Sequence, residues 1–188
     1  MNDKVVILDR DGTMVIDRGY LDDPAGLEFL PGAADGLRSL YSQGYRLVVI
    51  TNQSGVGRGL FSIERVHAMN ARLERMVEEA GAKLERIYFC PHAPDAGCDC
   101  RKPALKLMTQ AADELGFEPD SAIVIGDKES DVEFGRRAGA VTMLLGKREP
   151  RILSSTTPDY LVESLAQAAD IIRSRPDLMQ PRRARRQS

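Results

Sequence analysis

Five short runs of aliphatic and β-branched residues punctuate the chain, each separated from the next by an amphipathic stretch. The runs are Val5-Val6-Ile7-Leu8, Leu47-Val48-Val49-Ile50, Ile87-Tyr88-Phe89, Ala122-Ile123-Val124-Ile125 and Val141-Thr142-Met143-Leu144-Leu145. Several are apolar throughout, the pattern of strands covered on both faces. Helices are predicted between them. One opens at Pro31-Gly32, carries Leu37 and Leu40, and ends near Gly44. A second, capped by Ser62, presents Val66, Met69, Leu73, Met76 and Val77 at helical spacing until Gly81 stops it. Three more are expected over 105–115, 131–138 and 166–173. Strands alternating with helices imply parallel βαβ units with right-handed crossovers, hence a doubly wound α/β sheet.

The 188 residues suit one domain, placed at 1–175, followed by a polar, arginine-rich tail over 176–188 that is expected to be mobile. The formal charge of −2 hides an asymmetry: the last eight residues hold Arg182, Arg183, Arg185 and Arg186 and no acid, so the acidic excess lies in the body. An acidic body argues against a nucleic-acid partner, because phosphate backbones need a basic face. The longest early apolar run, Val5 to Leu8, is too short for a signal peptide or a membrane span. A cytoplasmic location without membrane attachment is therefore expected. Three cysteines exclude a disulfide scaffold.

In doubly wound sheets, ligands sit beyond the carboxyl ends of the strands. The first strand delivers Asp9-Arg10-Asp11-Gly12-Thr13 there, the second Thr51-Asn52-Gln53-Ser54-Gly55, and the fourth Gly126-Asp127-Lys128-Glu129-Ser130-Asp131. Arg101-Lys102-Pro103 stands ahead of the helix near Leu105. Any one of these is ordinary as a turn or helix cap; four in this order are not. Carboxylates gathered at one point need a counter-cation, and oxygen ligands of this kind suit Mg²⁺. Phosphoryl transfer uses such a set. One carboxylate attacks phosphorus to form an aspartyl-phosphate. An acid two residues on protonates the leaving oxygen and then activates water, while a hydroxyl and a lysine hold the equatorial oxygens.

These motifs resemble those of the haloacid dehalogenase (HAD) phosphohydrolase superfamily over roughly residues 4 to 147. The resemblance implies Asp9 as nucleophile, Asp11 as general acid and base, and Thr51 and Lys102 as the groups that hold the phosphate. It also implies Mg²⁺ on Asp9, the backbone carbonyl of Asp11 and Asp127, with Asp131 close by. No insertion large enough for a cap domain fits between the first three strands, so an essentially capless fold with an open crevice is expected.

Cys90, His92, Cys98 and Cys100 gather every cysteine and one of the two histidines into a single loop. Four such ligands in a reducing compartment suit tetrahedral Zn²⁺, and with no open coordination position the zinc would be structural. Its expected task is to fold the loop that ends in Arg101-Lys102. His67, on the second helix, reads as a packing or polar-face residue.

The loop running into Arg101-Lys102-Pro103, together with 51–59 and Gly126-Asp127-Lys128, is similar to the D-glycero-D-manno-heptose-1,7-bisphosphate 7-phosphatase family. That family makes a heptose 1-phosphate on the route to nucleotide-activated heptose for bacterial surface glycans such as lipopolysaccharide. The resemblance implies a phosphorylated sugar as the small-molecule partner. It assigns substrate contacts to Asp17-Arg18-Gly19-Tyr20, to Asn52, Gln53 and Ser54, and to Arg101 and Lys128. A monomer is expected. Two features depart from the family: Lys102-Pro103 continues as Ala104-Leu105 rather than Pro-Gly-Met, and the spacer from His92 to Cys98 is short. The related histidinol-phosphate phosphatases share the catalytic set and the zinc loop, and a phospho-accepting receiver module shares the strand-end aspartate and lysine.

Overall fold

The computed structural model of the chain describes residues 4–146 and 157–179. Six parallel strands form one sheet in the order β3-β2-β1-β4-β5-β6: β1 (Val5–Leu8), β2 (Arg46–Asn52), β3 (Leu84–Cys90), β4 (Ile123–Gly126), β5 (Val141–Leu145) and β6 (Tyr160–Val162). The helices are α1 (Ala33–Ser42), α2 (Ser54–Gly57), α3 (Ile63–Glu79), α4 (Lys106–Leu115), α5 (Glu129–Arg137) and α6 (Leu165–Ser174).

The apolar strands divide their side chains between two cores. Val6 and Leu8 of β1 pack with Leu37, Met69, Leu73 and Ile172, so α1, α3 and α6 cover one face. Val5 and Ile7 pack with Leu107, Met108 and Phe134, so α4 and α5 cover the other. A strand buried on both faces has no position for a polar residue until it ends. That is why the chemistry of this chain appears only past Leu8, Ile50 and Ile125. The strand order reverses between β1 and β4, the switch point at which doubly wound folds open a crevice.

Several expectations need adjusting. Strand β6 and helix α2 lie where no element was expected. The first is only three residues long with Leu161 half exposed, and the second contains two glycines in four residues. Ser62 occupies the residue before α3, but its hydroxyl makes no capping bond to the helix. Helix α5 begins at Glu129 rather than at 131, which puts Asp131 in its first turn. The described residues also continue past 175: a 3-10 turn spans Pro176–Met179 and seats Leu178 in the first core. The four tail arginines lie outside the described residues. Among the described residues no helix is long and apolar enough to cross a membrane.

Candidate active site

The carboxyl ends of β1, β2 and β4 surround a crevice of about 320 Å³. At its floor Asp9, the first residue after β1, is nearly buried, and its amide still reaches across to Ile125 of β4 at 3.0 Å. The Lys102 ammonium is equally buried. It donates to Asp9 Oδ1 at 2.8 Å and to the Ile50 carbonyl at 2.7 Å. Asn52, at the end of β2, clamps the backbone of Lys102 from both sides: its Nδ2 donates to the Lys102 carbonyl at 3.2 Å and its Oδ1 accepts from the Lys102 amide at 3.0 Å. The lysine thus reaches the nucleophile from a loop that β2 holds in place.

Asp131 stands opposite. Its Oδ2 accepts from the Lys128 amide at 3.1 Å, satisfying a free N–H at the start of α5. Its Oδ1 lies 2.6 Å from the Lys102 ammonium and has no other partner, so this buried oxygen keeps an unused acceptor lone pair. Asp127 completes the group and accepts from the Thr13 hydroxyl at 3.3 Å. Ligand oxygens of Asp9, Asp127 and Asp131 all lie within 4.8 Å of one another.

The electrostatics of this cluster are unequal. Burial alone would raise Asp9, but the charge and hydrogen bond of Lys102, helped by Lys128, outweigh it and hold the carboxyl below its usual range. Asp127 is pushed up to about 7, first by burial, then by the like charges of Asp9 and Asp131, against the pull of Lys128. Burial also raises Asp131, with Lys102 opposing. Lys102 is itself raised: burial would lower it, but Asp131 and Asp9 prevail. Three carboxylates served by one buried ammonium leave negative charge uncompensated. The unused Asp131 acceptor and the all-oxygen donor set fit a hard divalent cation.

Two glycines make the cluster possible. A Cβ on Gly12, whose φ is +84°, would overlap the Asp127 carboxylate, and one on Gly126 would overlap Asp131. Replacing Gly12 by alanine is expected to cost about 1–2 kcal/mol from the left-handed backbone alone, and to push Asp127 off the cluster. Urea melts should show the lost stability; an alanine variant matching the parent would mean the loop relaxes freely.

The other wall is built by Arg10, Asp11 and Gln53. Gln53 Nε2 donates to Asp11 Oδ2 at 2.8 Å and to the Thr51 hydroxyl at 3.1 Å, while its Oε1 accepts from Arg10 Nη2 at 2.9 Å. The rim consists of the 17–20 turn, Ser54 and Phe61, and Arg101. Asp17 accepts from the Gly19 amide at 2.9 Å and from the Lys128 ammonium at 3.2 Å. Tyr20 lies open to solvent with the Arg58 guanidinium 6.0 Å from its ring centre. Arg18 is directed elsewhere: it pairs with Glu28 at 2.7 Å and does not line the crevice. Arg101 does line it, and its buried Nη1 has no hydrogen-bond partner. Arg10, Asn70 and Phe61 are the site residues that sequence reasoning did not single out.

The four soft ligands also converge. Sγ of Cys90 lies 3.6 Å from His92 Nδ1, 3.6 Å from Cys98 Sγ and 3.1 Å from Cys100 Sγ, and His92 Nδ1 lies 3.2 Å from Cys100 Sγ. Zn–S and Zn–N bonds of about 2.3 and 2.0 Å imply tetrahedral edges of about 3.5 to 3.8 Å; the two 3.6 Å distances match and the two to Cys100 are shorter, so the donor types fit zinc and the four atoms are gathered closely enough to share one ion. The loop abuts the crevice: the Gln53 amide donates to the Cys90 carbonyl and the Gly57 amide to Pro91, both at 2.8 Å.

A buried aspartate past the first strand, an ammonium on its carboxylate and acids grouped beside the switch point make this a phosphohydrolase of the HAD class. A family model described as HAD-hydrolase-like matches residues 99–168. The chain is 34% identical over 178 residues to the D-glycero-β-D-manno-heptose-1,7-bisphosphate 7-phosphatase of Pasteurella multocida, covering 90% of this chain and 97% of that one. It is 40% identical over 148 residues to the enzyme of the same name from Helicobacter pylori strain J99, covering 78% and 85%. The crystal structure of the D,D-heptose 1,7-bisphosphate phosphatase of B. bronchiseptica, complexed with magnesium and phosphate, superposes with a TM-score of 0.83 at 29% identity, covering 91% and 98%. The chain belongs to the D-glycero-β-D-manno-heptose-1,7-bisphosphate 7-phosphatase family.

Proposed function

We propose that this chain is a Mg²⁺-dependent phosphatase that removes the 7-phosphate of D-glycero-β-D-manno-heptose 1,7-bisphosphate and leaves the heptose 1-phosphate. Asp9 attacks phosphorus, and its lowered pKa keeps it ionised for that task. Lys102, fixed against Asp9 and Ile50, meets charge on the transferring group from a position that needs no reorganisation. Thr51, its hydroxyl oriented by Gln53, holds a second phosphate oxygen. Asp11 gives a proton to the leaving sugar oxygen and later takes one from the water that cleaves the aspartyl-phosphate. Asp9, the Asp11 carbonyl, Asp127 and Asp131 would hold Mg²⁺, which supplies charge neutralisation for the phosphate oxygens. Cys90, His92, Cys98 and Cys100 would hold a structural Zn²⁺.

The observation that carries the substrate assignment is Arg101, which lines the crevice and whose buried Nη1 has no hydrogen-bond partner. An unsatisfied buried guanidinium nitrogen is costly, and the planar fork of a guanidinium suits a second phosphate, to which it can donate two parallel hydrogen bonds. Asp17 holds Lys128 near the same rim. A cationic substrate such as histidinol phosphate would leave Arg101 unanswered. Parallel assays at fixed Mg²⁺ should give kcat/KM at least about ten-fold higher for the β-heptose bisphosphate than for histidinol phosphate, one ion-pair-sized increment. A higher value for histidinol phosphate would reverse the assignment.

A further inference from the structure

Arg10 lies between the two catalytic acids in sequence, yet its side chain is 3% exposed and turned into the protein. Its guanidinium is held on every edge. Nε reaches both Asp11 oxygens at 3.2 and 3.1 Å, and Nη2 lies 2.9 Å from Asp11 Oδ2. Nη2 also donates to Gln53 Oε1 at 2.9 Å, and Nη1 donates to Asn70 Oδ1, from the buried face of α3, at 3.2 Å. Because Gln53 Oε1 must face the guanidinium, its Nε2 must face Asp11 and Thr51. One buried cation therefore orients Asp11 twice, directly and through the amide of Gln53. Asp11 Oδ2 receives both Arg10 and Gln53, whereas Oδ1 takes only the 3.2 Å bond from Arg10 Nε, so Oδ1 has the greater capacity for a travelling proton.

We infer that Arg10, anchored by Asn70 and Gln53, is a positioning residue that aims the Asp11 carboxyl at the leaving oxygen and then at water. The inference rests on the role proposed for Asp11. In the first half-reaction an Asp9 oxygen bonds phosphorus, the bond from phosphorus to the sugar oxygen breaks, and the Asp11 proton passes to that oxygen. In the second, water gives a proton to Asp11 as its oxygen bonds phosphorus, and the electron pair of the Asp9–phosphorus bond returns to the carboxylate. Both transfers need Asp11 within hydrogen-bond reach of a moving atom, and misplacement by about 1 Å can cost on the order of 10²-fold. Lysine keeps the charge of Arg10 but lacks the planar fork that three acceptors share.

The test exploits the leaving group. A sugar alkoxide needs a proton as it departs, whereas nitrophenolate does not, and kcat/KM reports the steps up to its departure. Arg10→Lys is expected to lower kcat/KM about 30-fold for heptose bisphosphate and less than about 3-fold for p-nitrophenyl phosphate. Asn70→Ala, which touches neither Asp11 nor substrate, should show the same contrast at about 5-fold, and it carries the test if the Arg10 variant does not fold. Acid-quenched samples of both variants should hold more phosphoenzyme than the parent with p-nitrophenyl phosphate, because the water step is slowed while the first step is spared. Equal losses on both substrates without accumulation would reduce Arg10 to a packing residue and overturn the inference, as would unchanged sugar turnover in both variants. Asp11→Asn is the control. If it shows no leaving-group contrast, the acid role of Asp11 falls and takes the inference with it; if it does while Arg10→Lys and Asn70→Ala do not, only the inference falls. Should the parent ignore the heptose, β-glycerophosphate serves as the alkyl ester, separating a wrong substrate from a wrong role for Arg10.

Discussion

Asp9→Asn is expected to abolish phosphate release, with kcat lowered about 10⁴-fold or more, while the protein keeps its fold and its substrate affinity. The amide has the shape of the carboxylate but no anionic oxygen to bond phosphorus, and no neighbouring acid is placed to substitute for it. Asp127 and Asp131 stand on the metal side, and Asp11 is tied to Arg10 and Gln53. Removing one partner of a buried ion pair normally costs about 3–5 kcal/mol. Here the Lys102 ammonium keeps the Ile50 carbonyl and its contact with Asp131, and the asparagine Oδ1 can still accept its hydrogen bond. The substitution also relieves repulsion. Asp127 is pushed up to about 7 from 3.8, and Asp9 is the largest charge responsible. A carboxyl raised in the folded state binds its proton more tightly there than when unfolded, so its contribution to stability is present in full below about pH 4 and is lost as pH rises through 7. Without the Asp9 charge that loss shrinks. Metal-free thermal melts should therefore show the variant gaining on the parent at pH 8 relative to pH 5. Retained turnover would break the covalent mechanism, and a collapsed melting curve would show that Lys102 depends on Asp9 more than on its other partners.

The sheet and its crevice were legible because both follow from one pattern. A strand covered on two faces is apolar until it ends, so the first polar residues after Leu8, Ile50 and Ile125 were bound to meet at one edge. What stayed hidden was shorter or longer in range. Strand β6 carries too few residues to show a period, and α2 is half glycine, so neither leaves a local signal. Asn52 and Gln53 read as substrate contacts beside Thr51; both line the crevice, and their side-chain amides also hold Lys102 and Asp11, a task the sequence does not show. Hydrogen bonds across 50 and 42 residues have no footprint in spacing. Asn70 did leave one: it sits four residues after Val66 and three before Leu73, on the stripe of α3 that faces the core. A polar side chain on a buried stripe needs a partner. Arg10, on the other side of that contact, stands between two acids with no role assigned from the sequence, because adjacent residues in an extended chain point to opposite sides.

Removing the proposed zinc, by Cys100→Ala or by chelation, is expected to lower kcat about 10²-fold or more while far-UV circular dichroism retains most of its amplitude. Most of the sheet does not need the metal, since the core under α1, α3 and α6 contains no residue of the loop and the other core draws only Cys90, Cys98 and Cys100 from it. Lys102 needs it. Its backbone is clamped by the two hydrogen bonds from Asn52, worth about 1 kcal/mol each. Against them stands the entropy of ordering the chain from Pro91 to Cys100, about 1–2 kcal/mol per residue. Structural zinc contributes on the order of 10 kcal/mol or more on binding, enough to decide whether Cys100, and with it Arg101 and Lys102, stays against β2. The loop also supports the opposite wall of the crevice, because the Gln53 and Gly57 amides donate to the Cys90 and Pro91 carbonyls. Its loss should loosen Lys102, Arg101 and the Gln53 segment together, so KM for the heptose bisphosphate should rise as kcat falls. Elemental analysis of the purified protein should find one zinc per chain in the parent and little in the variant. A zinc-free variant turning over within about three-fold of the parent would show that Asn52, Asp9 and Asp131 hold Lys102 unaided.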